Sequence, residues 1–266
     1  MSICAEVIPA PRTTEISVFW KIKGSGAETA FALSPRFQHK TPYTNYTTVA
    51  VTPLHMTRPT QHNLIILEGG IAAGKTTLLK TMEKTYGYYA IEEPVIDNPF
   101  LEKFYKDPMT YAFPFQMWFL DVRVKHYSQA VEFAKTHPET TVILDRSVFS
   151  DYVFALNCHN DGFISDAQFA QYLERYGEAL LRLPNPAAML YLDVPPEVCL
   201  NRILNVRRRE CEKDIPLSYL TGLHECYKEL IRQMRAINCR VEIIDWSEFG
   251  SAADINERCA LATSAV

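Results

Sequence analysis

Residues 69–77, GGIAAGKTT, follow an apolar run, His62-Asn63-Leu64-Ile65-Ile66-Leu67, and lead into a helical segment, Leu78-Leu79-Lys80-Thr81-Met82. Gly69, four residues and then Gly74-Lys75-Thr76 fit the pattern G-x4-G-K-[ST], which binds phosphate only as strand, tight loop and helix in that order. Gly69, Gly70 and Gly74 let the backbone bend so that successive N–H groups point inward at phosphate oxygens. The following helix adds its N-terminal partial positive charge. Lys75 supplies a full charge to the outer phosphates, and Thr76 offers a hydroxyl to Mg²⁺. Gly69, Gly70, Ala72, Ala73, Gly74, Lys75, Thr76 and Thr77 are therefore the candidate site for a triphosphate such as ATP or GTP. What receives the phosphate is left open by the loop alone.

From His62 onward, short apolar runs alternate with longer helical stretches. NLIILE, YYAIEE, TVILDR, AAMLYLDV and VEIIDW have the character of fully buried parallel strands. Helices are expected over 74–85, 110–137, 165–182, 195–209 and 216–237, with a kink near Pro114. This alternation predicts an α/β fold, a five-stranded parallel sheet with helices on both faces. Ligands in such folds bind beyond the carboxyl ends of the strands, so the residues found there carry the chemistry.

Asp145 ends TVILD, where a second anchor for the metal belongs; its other reading is a cap for the next helix. Arg146 beside it can reach a phosphate or a carboxylate with its planar fork. Glu93 follows the second strand and should face the phosphate loop. A hydroxyl acceptor benefits from a carboxylate that takes its proton as the P–O bond forms. An acceptor that is already a phosphate would want an arginine, and Glu92 beside Glu93 would repel it. The pair of acids favours a nucleoside over a nucleotide.

A net charge of −4 and pI near 6.0 give no reason to expect nucleic acid or an anionic membrane as partner. No apolar run approaches the roughly 20 residues that span a bilayer. The seven scattered cysteines, without a C-x2-C pair, read as reduced core residues in an intracellular setting. Residues 1–61 differ from the remainder: they are rich in Thr, Ser and Pro, and their bases outnumber their acids. A disordered extension on a cytoplasmic protein is expected there, with a mitochondrial or plastid transit segment as the alternative. Residues 62–266 are expected to form one domain around the phosphate loop.

The chain from 63 to 247 resembles the deoxynucleoside kinase family. GGIAAGKTT, EEPV, NPFLEKFYKDP, FPFQMWFLDVR, LDRSVFSDYVFA, CLNRILNVRRR and IPLSYLTGLH carry the resemblance, in the family's order. NPFLEKFYKDP with FPFQ is most similar to the bacterial-type purine members. The resemblance implies a P-loop kinase fold with an arginine-rich lid. It also implies transfer from MgATP to the 5′-hydroxyl of a deoxynucleoside, in nucleotide salvage, by a homodimer.

Residue by residue, the resemblance makes Glu93 the general base, with Lys75 and Arg146 as its catalytic companions. Gln116 makes paired hydrogen bonds to the base, and Tyr105 with Glu212 holds the sugar 3′-hydroxyl. Asp145 and Arg146 match the family's strand-end acid and arginine. Arg123 and Asp151 match a pair that lies beside the base in deoxycytidine and purine deoxynucleoside kinases. Thymidine-accepting relatives have an apolar residue in place of Arg123, so a purine deoxynucleoside or deoxycytidine is favoured over thymidine. Arg202, Arg207 and Arg209 belong to the lid over the donor phosphates, and residues 245–249 lie near the donor's base. Two alternatives stand beside this: a thymidylate kinase-like deoxynucleoside monophosphate kinase, and a non-catalytic nucleotide-binding subunit of a paired kinase. Glu92-Glu93-Pro94 argues against the first. Intact Lys75, Glu93, Asp145 and Arg146 argue against the second.

Overall fold

The structure is a computed structural model that describes the backbone of four strands near the N-terminus and, with side chains, residues 58–93 and 99–263. The chain divides into two compact units, Met1–Met56 and Thr57–Val266. In the first, β1 (Ile3–Pro9), β2 (Ile16–Ile22), β3 (Thr29–Arg36) and β4 (Thr48–Ala50) pair antiparallel in that order. β2, ISVFWKI, is rich in the β-branched and aromatic residues that suit a pleated ladder. For the remainder of 1–61, the expected disordered or targeting extension falls largely on residues outside the described ones.

The second unit is built on β5 (Thr60–Gly69), β6 (Tyr89–Ile91), β7 (Val142–Asp145), β8 (Asn185–Asp193) and β9 (Arg240–Asp245). They form one parallel sheet in the order β6-β7-β5-β8-β9. All five expected strands are present. Leu64–Leu67 and Val142–Leu144 are almost wholly buried, as strands covered on both faces must be. Each such Leu, Ile or Val contributes roughly 1.5–3 kcal/mol by leaving water, so the runs cannot settle at an edge open to solvent.

Four expected helices appear as α1 (Lys75–Tyr86), α3 (Pro108–Thr136), α5 (Asp166–Leu180) and α7 (Leu217–Ala236). α3 is assigned as one helix through Pro114, which forfeits a hydrogen bond to the Thr110 carbonyl. At its far end the buried Asn63 amide donates to the carbonyls of Ala134, His137 and Thr140 at 3.0, 3.0 and 2.8 Å, satisfying groups a helix end leaves open. That ties α3 to the start of the central strand.

Three helices were not anticipated: α2 (Leu101–Lys106), α4 (Val148–Asn160) and α8 (Ala252–Thr263). α4 is buried from Val148 through Cys158, so it has no polar stripe to display a helical period. The helix expected over 195–209 is interrupted. α6 (Pro196–Arg202) passes into a π turn, Ile203–Arg207, and a 3₁₀ turn follows at Glu210–Glu212. Arg208 between them is left-handed, with φ 51°, so the basic segment is a shaped turn where a straight helix was expected.

After β5 the chain crosses beyond β7 to form β6, whereas β8 and β9 lie on the other side of β5. The carboxyl end of β5 is thus the switch point where an open α/β sheet leaves a crevice. Gly69 occupies it with φ 150°, and a Cβ there would stand 2.8 Å from the Leu192 carbonyl oxygen of β8. Gly69→Ala is expected to destabilise the domain by about 1–3 kcal/mol, read as a lower urea midpoint at constant slope.

Candidate active site

Gly74, left-handed at φ 98°, ends the phosphate loop and starts α1. The first turn of α1 contains no acid, and no side chain caps it, so its N–H groups are left facing an incoming anion. Lys75 is buried and its Nζ donates to the carbonyls of Gly69 and Gly70 at 3.1 and 2.9 Å. Burial, and then Arg146, lower its ammonium to about 8. Thr76 Oγ1 donates to Asp145 Oδ2 at 2.7 Å. Burial raises the Asp145 carboxyl against the pull of Lys75, and its Oδ1 is buried without a hydrogen-bond partner. A hard divalent cation would fill that vacancy in charge and bonding. Among the described residues no cluster of three or more His, Cys, Asp or Glu is able to hold a metal. Thr76 and Asp145 would offer one or two oxygens, the number of protein ligands Mg²⁺ takes when phosphate and water complete its shell.

Glu93, just past β6, stands opposite. Arg123 Nη2 of α3 donates to its Oε1 at 2.5 Å, and Arg146 Nε to its Oε2 at 3.1 Å. Burial would raise this carboxyl, but Arg146 and Arg123 outweigh it and hold it down at about 2. Arg123 Nη1 also donates to Asp151 Oδ1 at 2.6 Å, and Tyr172 of α5 donates to Asp151 Oδ2 at 2.7 Å. Burial lifts Asp151 to about 6 even against Arg123. The Arg123 guanidinium lies over the rings of Phe119 and Phe154, and that of Arg146 over Phe154. Glu92 points elsewhere, to Lys80 at 3.3 Å.

Between the halves lies a cleft of about 590 Å³, lined by Lys75, Thr76, Glu93, Tyr105, Gln116, Arg123, Asp145, Arg146 and Glu212. The loop from Ala72 to Thr77 forms its donor end. Gln116 donates from Nε2 to Cys158 Sγ at 3.6 Å, and its Oε1 is buried without a partner. An unsatisfied amide on an apolar wall of Phe104, Phe115 and Phe119 is what the edge of a planar base would complete.

A family model for deoxynucleoside kinase matches residues 65–262. The chain belongs to the deoxynucleoside kinase family. It is 45% identical to deoxyguanosine kinase of Dictyostelium discoideum over 193 residues, 73% of this chain and 66% of that one. With deoxyadenosine kinase of the same organism it shares 35% over 185 residues, 70% of this chain and 73% of that one. Deoxyguanosine kinase of Bacillus subtilis matches at 31%, over 68% of this chain and 84% of its own. The solved structure of deoxyadenosine kinase from M. mycoides with bound dATP superposes with a TM-score of 0.64 at 24% identity, covering 75% of this chain and all of that one. The shared fold is the P-loop kinase fold.

In the basic turn at 207–212, two arginines share one buried carboxylate. Glu212, 2% exposed, meets Arg207 Nε at 2.7 Å, close enough for an ion pair but out of line for a hydrogen bond. Arg209 Nη1 donates to its other oxygen at 3.4 Å. Arg202, expected near the donor phosphates, lines the cleft, donates to the carbonyls of Ala73, Trp246 and Ser247 and stacks on Phe249. Phe249 lines the donor end of the cleft. Gly69, Gly70 and Asp151 are not on the wall; they support it from behind. Sequence reasoning assigned no role to Glu68, Tyr172 or Tyr227. Glu68 alone left a trace, an acid at the end of an otherwise apolar strand.

Two outcomes follow. A triphosphate needs the charged form of Lys75, so ATP affinity should be level below about pH 7 and fall by up to tenfold per unit above about pH 8, as titration calorimetry would register. Arg123→Met strands Asp151 in the interior and should cost about 3–5 kcal/mol in denaturant unfolding, most of it recovered in the double variant with Asp151→Asn.

Proposed function

We propose that this protein transfers the γ-phosphoryl group of ATP to the 5′-hydroxyl of a deoxyribonucleoside, a purine deoxynucleoside or deoxycytidine in preference to thymidine, for nucleotide salvage. One observation carries the proposal. Glu93 faces a cleft shared with Lys75 and Gln116, and its position is held by two arginines.

The base enters against Gln116, with Arg123 and Asp151 beside it. Tyr105 and Glu212 hold the 3′-hydroxyl, which leaves the 5′-hydroxyl in front of Glu93. Its oxygen attacks the γ-phosphorus in line, the bond to the β-phosphate oxygen breaks, and ADP leaves. The hydroxyl proton passes to Glu93. A carboxylate held as low as about 2 is a weak base. A loose transition state asks little more, because most proton loss accompanies late bond formation. Glu93 therefore contributes chiefly by fixing the hydroxyl's direction, and positioning is worth several powers of ten in rate.

Lys75, the N-terminal N–H groups of α1 and the lid arginines Arg207 and Arg209 take the charge of the transferring group. Arg202 holds the loop and the Phe249 segment together. Thr76 and Asp145 are the residues that would hold Mg²⁺, which supplies neutralisation of the β- and γ-phosphates when bound.

An acceptor that already carries phosphate is disfavoured. Arg123 and Arg146, the cations nearest the acceptor end, are paired with Glu93 and Asp151 and offer no spare charge. Family resemblance alone supports a homodimer. With MgATP and the four natural deoxynucleosides, kcat/KM should be at least about tenfold higher for the preferred purine or cytosine substrate than for thymidine. Glu93→Ala should lower kcat by about 10²–10⁴. Turnover of thymidine alone, or of deoxynucleoside monophosphates alone, would overturn the proposal.

A further inference from the structure

Arg146 joins the two halves of the site, and its backbone is left-handed at φ 64°, a conformation seldom adopted outside glycine. The turn is pinned where Arg146 N donates to the Leu67 carbonyl at 3.0 Å. Its side chain is committed at every nitrogen. Nε meets Glu93, Nη1 donates to the Gly69 carbonyl at 2.8 Å and to the Tyr227 hydroxyl, and Nη2 reaches the Gly70 carbonyl at 3.3 Å. Tyr227 is wholly buried on α7, and its hydroxyl donates in turn to Glu68 Oε2 at 3.4 Å. Glu68 is also wholly buried; its other oxygen accepts from Ser147 Oγ at 2.7 Å. Neither Glu68 nor Tyr227 lines the cleft.

An isolated carboxylate in this position would cost several kcal/mol, so a fully buried Glu68 needs compensation. Arg146 is its principal opposing charge. The phenol between them has one proton and therefore one direction. While Glu68 accepts that proton, the lone pairs of the oxygen face Arg146 Nη1. The mechanism above makes no use of either group.

We infer that Glu68, acting through the Tyr227 hydroxyl, is a positioning residue for the phosphoryl-transfer step. It orients Arg146 so that the guanidinium bridges the phosphate loop and Glu93. This rests on the kinase reading above and deepens it. The chain of bonds fixes the Nε edge of Arg146 on Glu93 without touching the nucleoside or ATP. Losing it should loosen the reacting groups and leave binding intact.

The test is steady-state kinetics on Tyr227→Phe and Glu68→Gln, alone and combined with Arg146→Lys, with thermal melting recorded for each. Tyr227→Phe keeps the ring, whose centroid lies 5.1 Å from that of Tyr191, and removes only the hydroxyl. It should lower kcat about tenfold while KM for ATP and for the nucleoside stays within about twofold. Added to Arg146→Lys it should cause almost no further loss, because the arginine it orients is gone. A purely structural role would lower the melting temperature without that split. Should Glu68→Gln fail to fold, Tyr227→Phe decides the matter alone. A folded Tyr227→Phe with unchanged kcat, or a loss that multiplies fully with Arg146→Lys, would overturn the inference. Absence of deoxynucleoside turnover in the unaltered protein would instead sink the function itself.

Discussion

Asp151, Arg123, Glu93 and Arg146 alternate in sign along one line of hydrogen bonds, and the site depends on that alternation. Each ion is nearly or wholly removed from water. Alone, any of them would carry a desolvation penalty of several kcal/mol; in sequence, each stands between partners of opposite charge or hydrogen-bonding groups. The line also joins separate parts of the fold. Asp151 belongs to α4 and is held by Tyr172 from α5, Arg123 belongs to α3, Glu93 follows β6, and Arg146 follows β7. Buried ion pairs are a weak source of stability. Their value here is directional, since a charge pinned at both ends leaves little reorganisation for the reaction to drive.

The basic turn at 207–212 follows similar physics at lower commitment. Arg207 and Arg209 rest on Glu212, a buried carboxylate that also lines the cleft. The π turn and left-handed Arg208 preceding it give this short segment a shape that regular helix would not. Arg202 sits one residue before that turn and anchors it to backbone carbonyls of the loop and of the Phe249 segment.

Local chemistry explains which features could be read without coordinates. The phosphate loop declared itself because glycine spacing, lysine and threonine have to be contiguous to work. The strands did so because burial on both faces admits only apolar residues. α4 was hidden for the same reason, since a helix buried all round loses its period. α2 is too short to show one. An arginine in a basic run carries no mark of backbone carbonyls to come, such as those of Ala73, Trp246 and Ser247 that Arg202 meets. Tyr227 had no signal at all: a tyrosine at that spacing in α7 reads as core, and only the folded chain brings its hydroxyl to Glu68 and Arg146.

Residue order alone thus established the parallel sheet, the triphosphate cradle, the carboxylate after the second strand and the family. Such features are contiguous, or repeat at a period, and neighbouring residues specify them. Which charges meet was settled by folding. The resemblance paired Arg123 with Asp151 in advance, but Glu93 and Arg146 follow different strands, and Glu68 is far along the chain from Tyr227. Their ionisation states and hydrogen-bond directions arise from burial beside one another, a property that no single stretch of chain possesses.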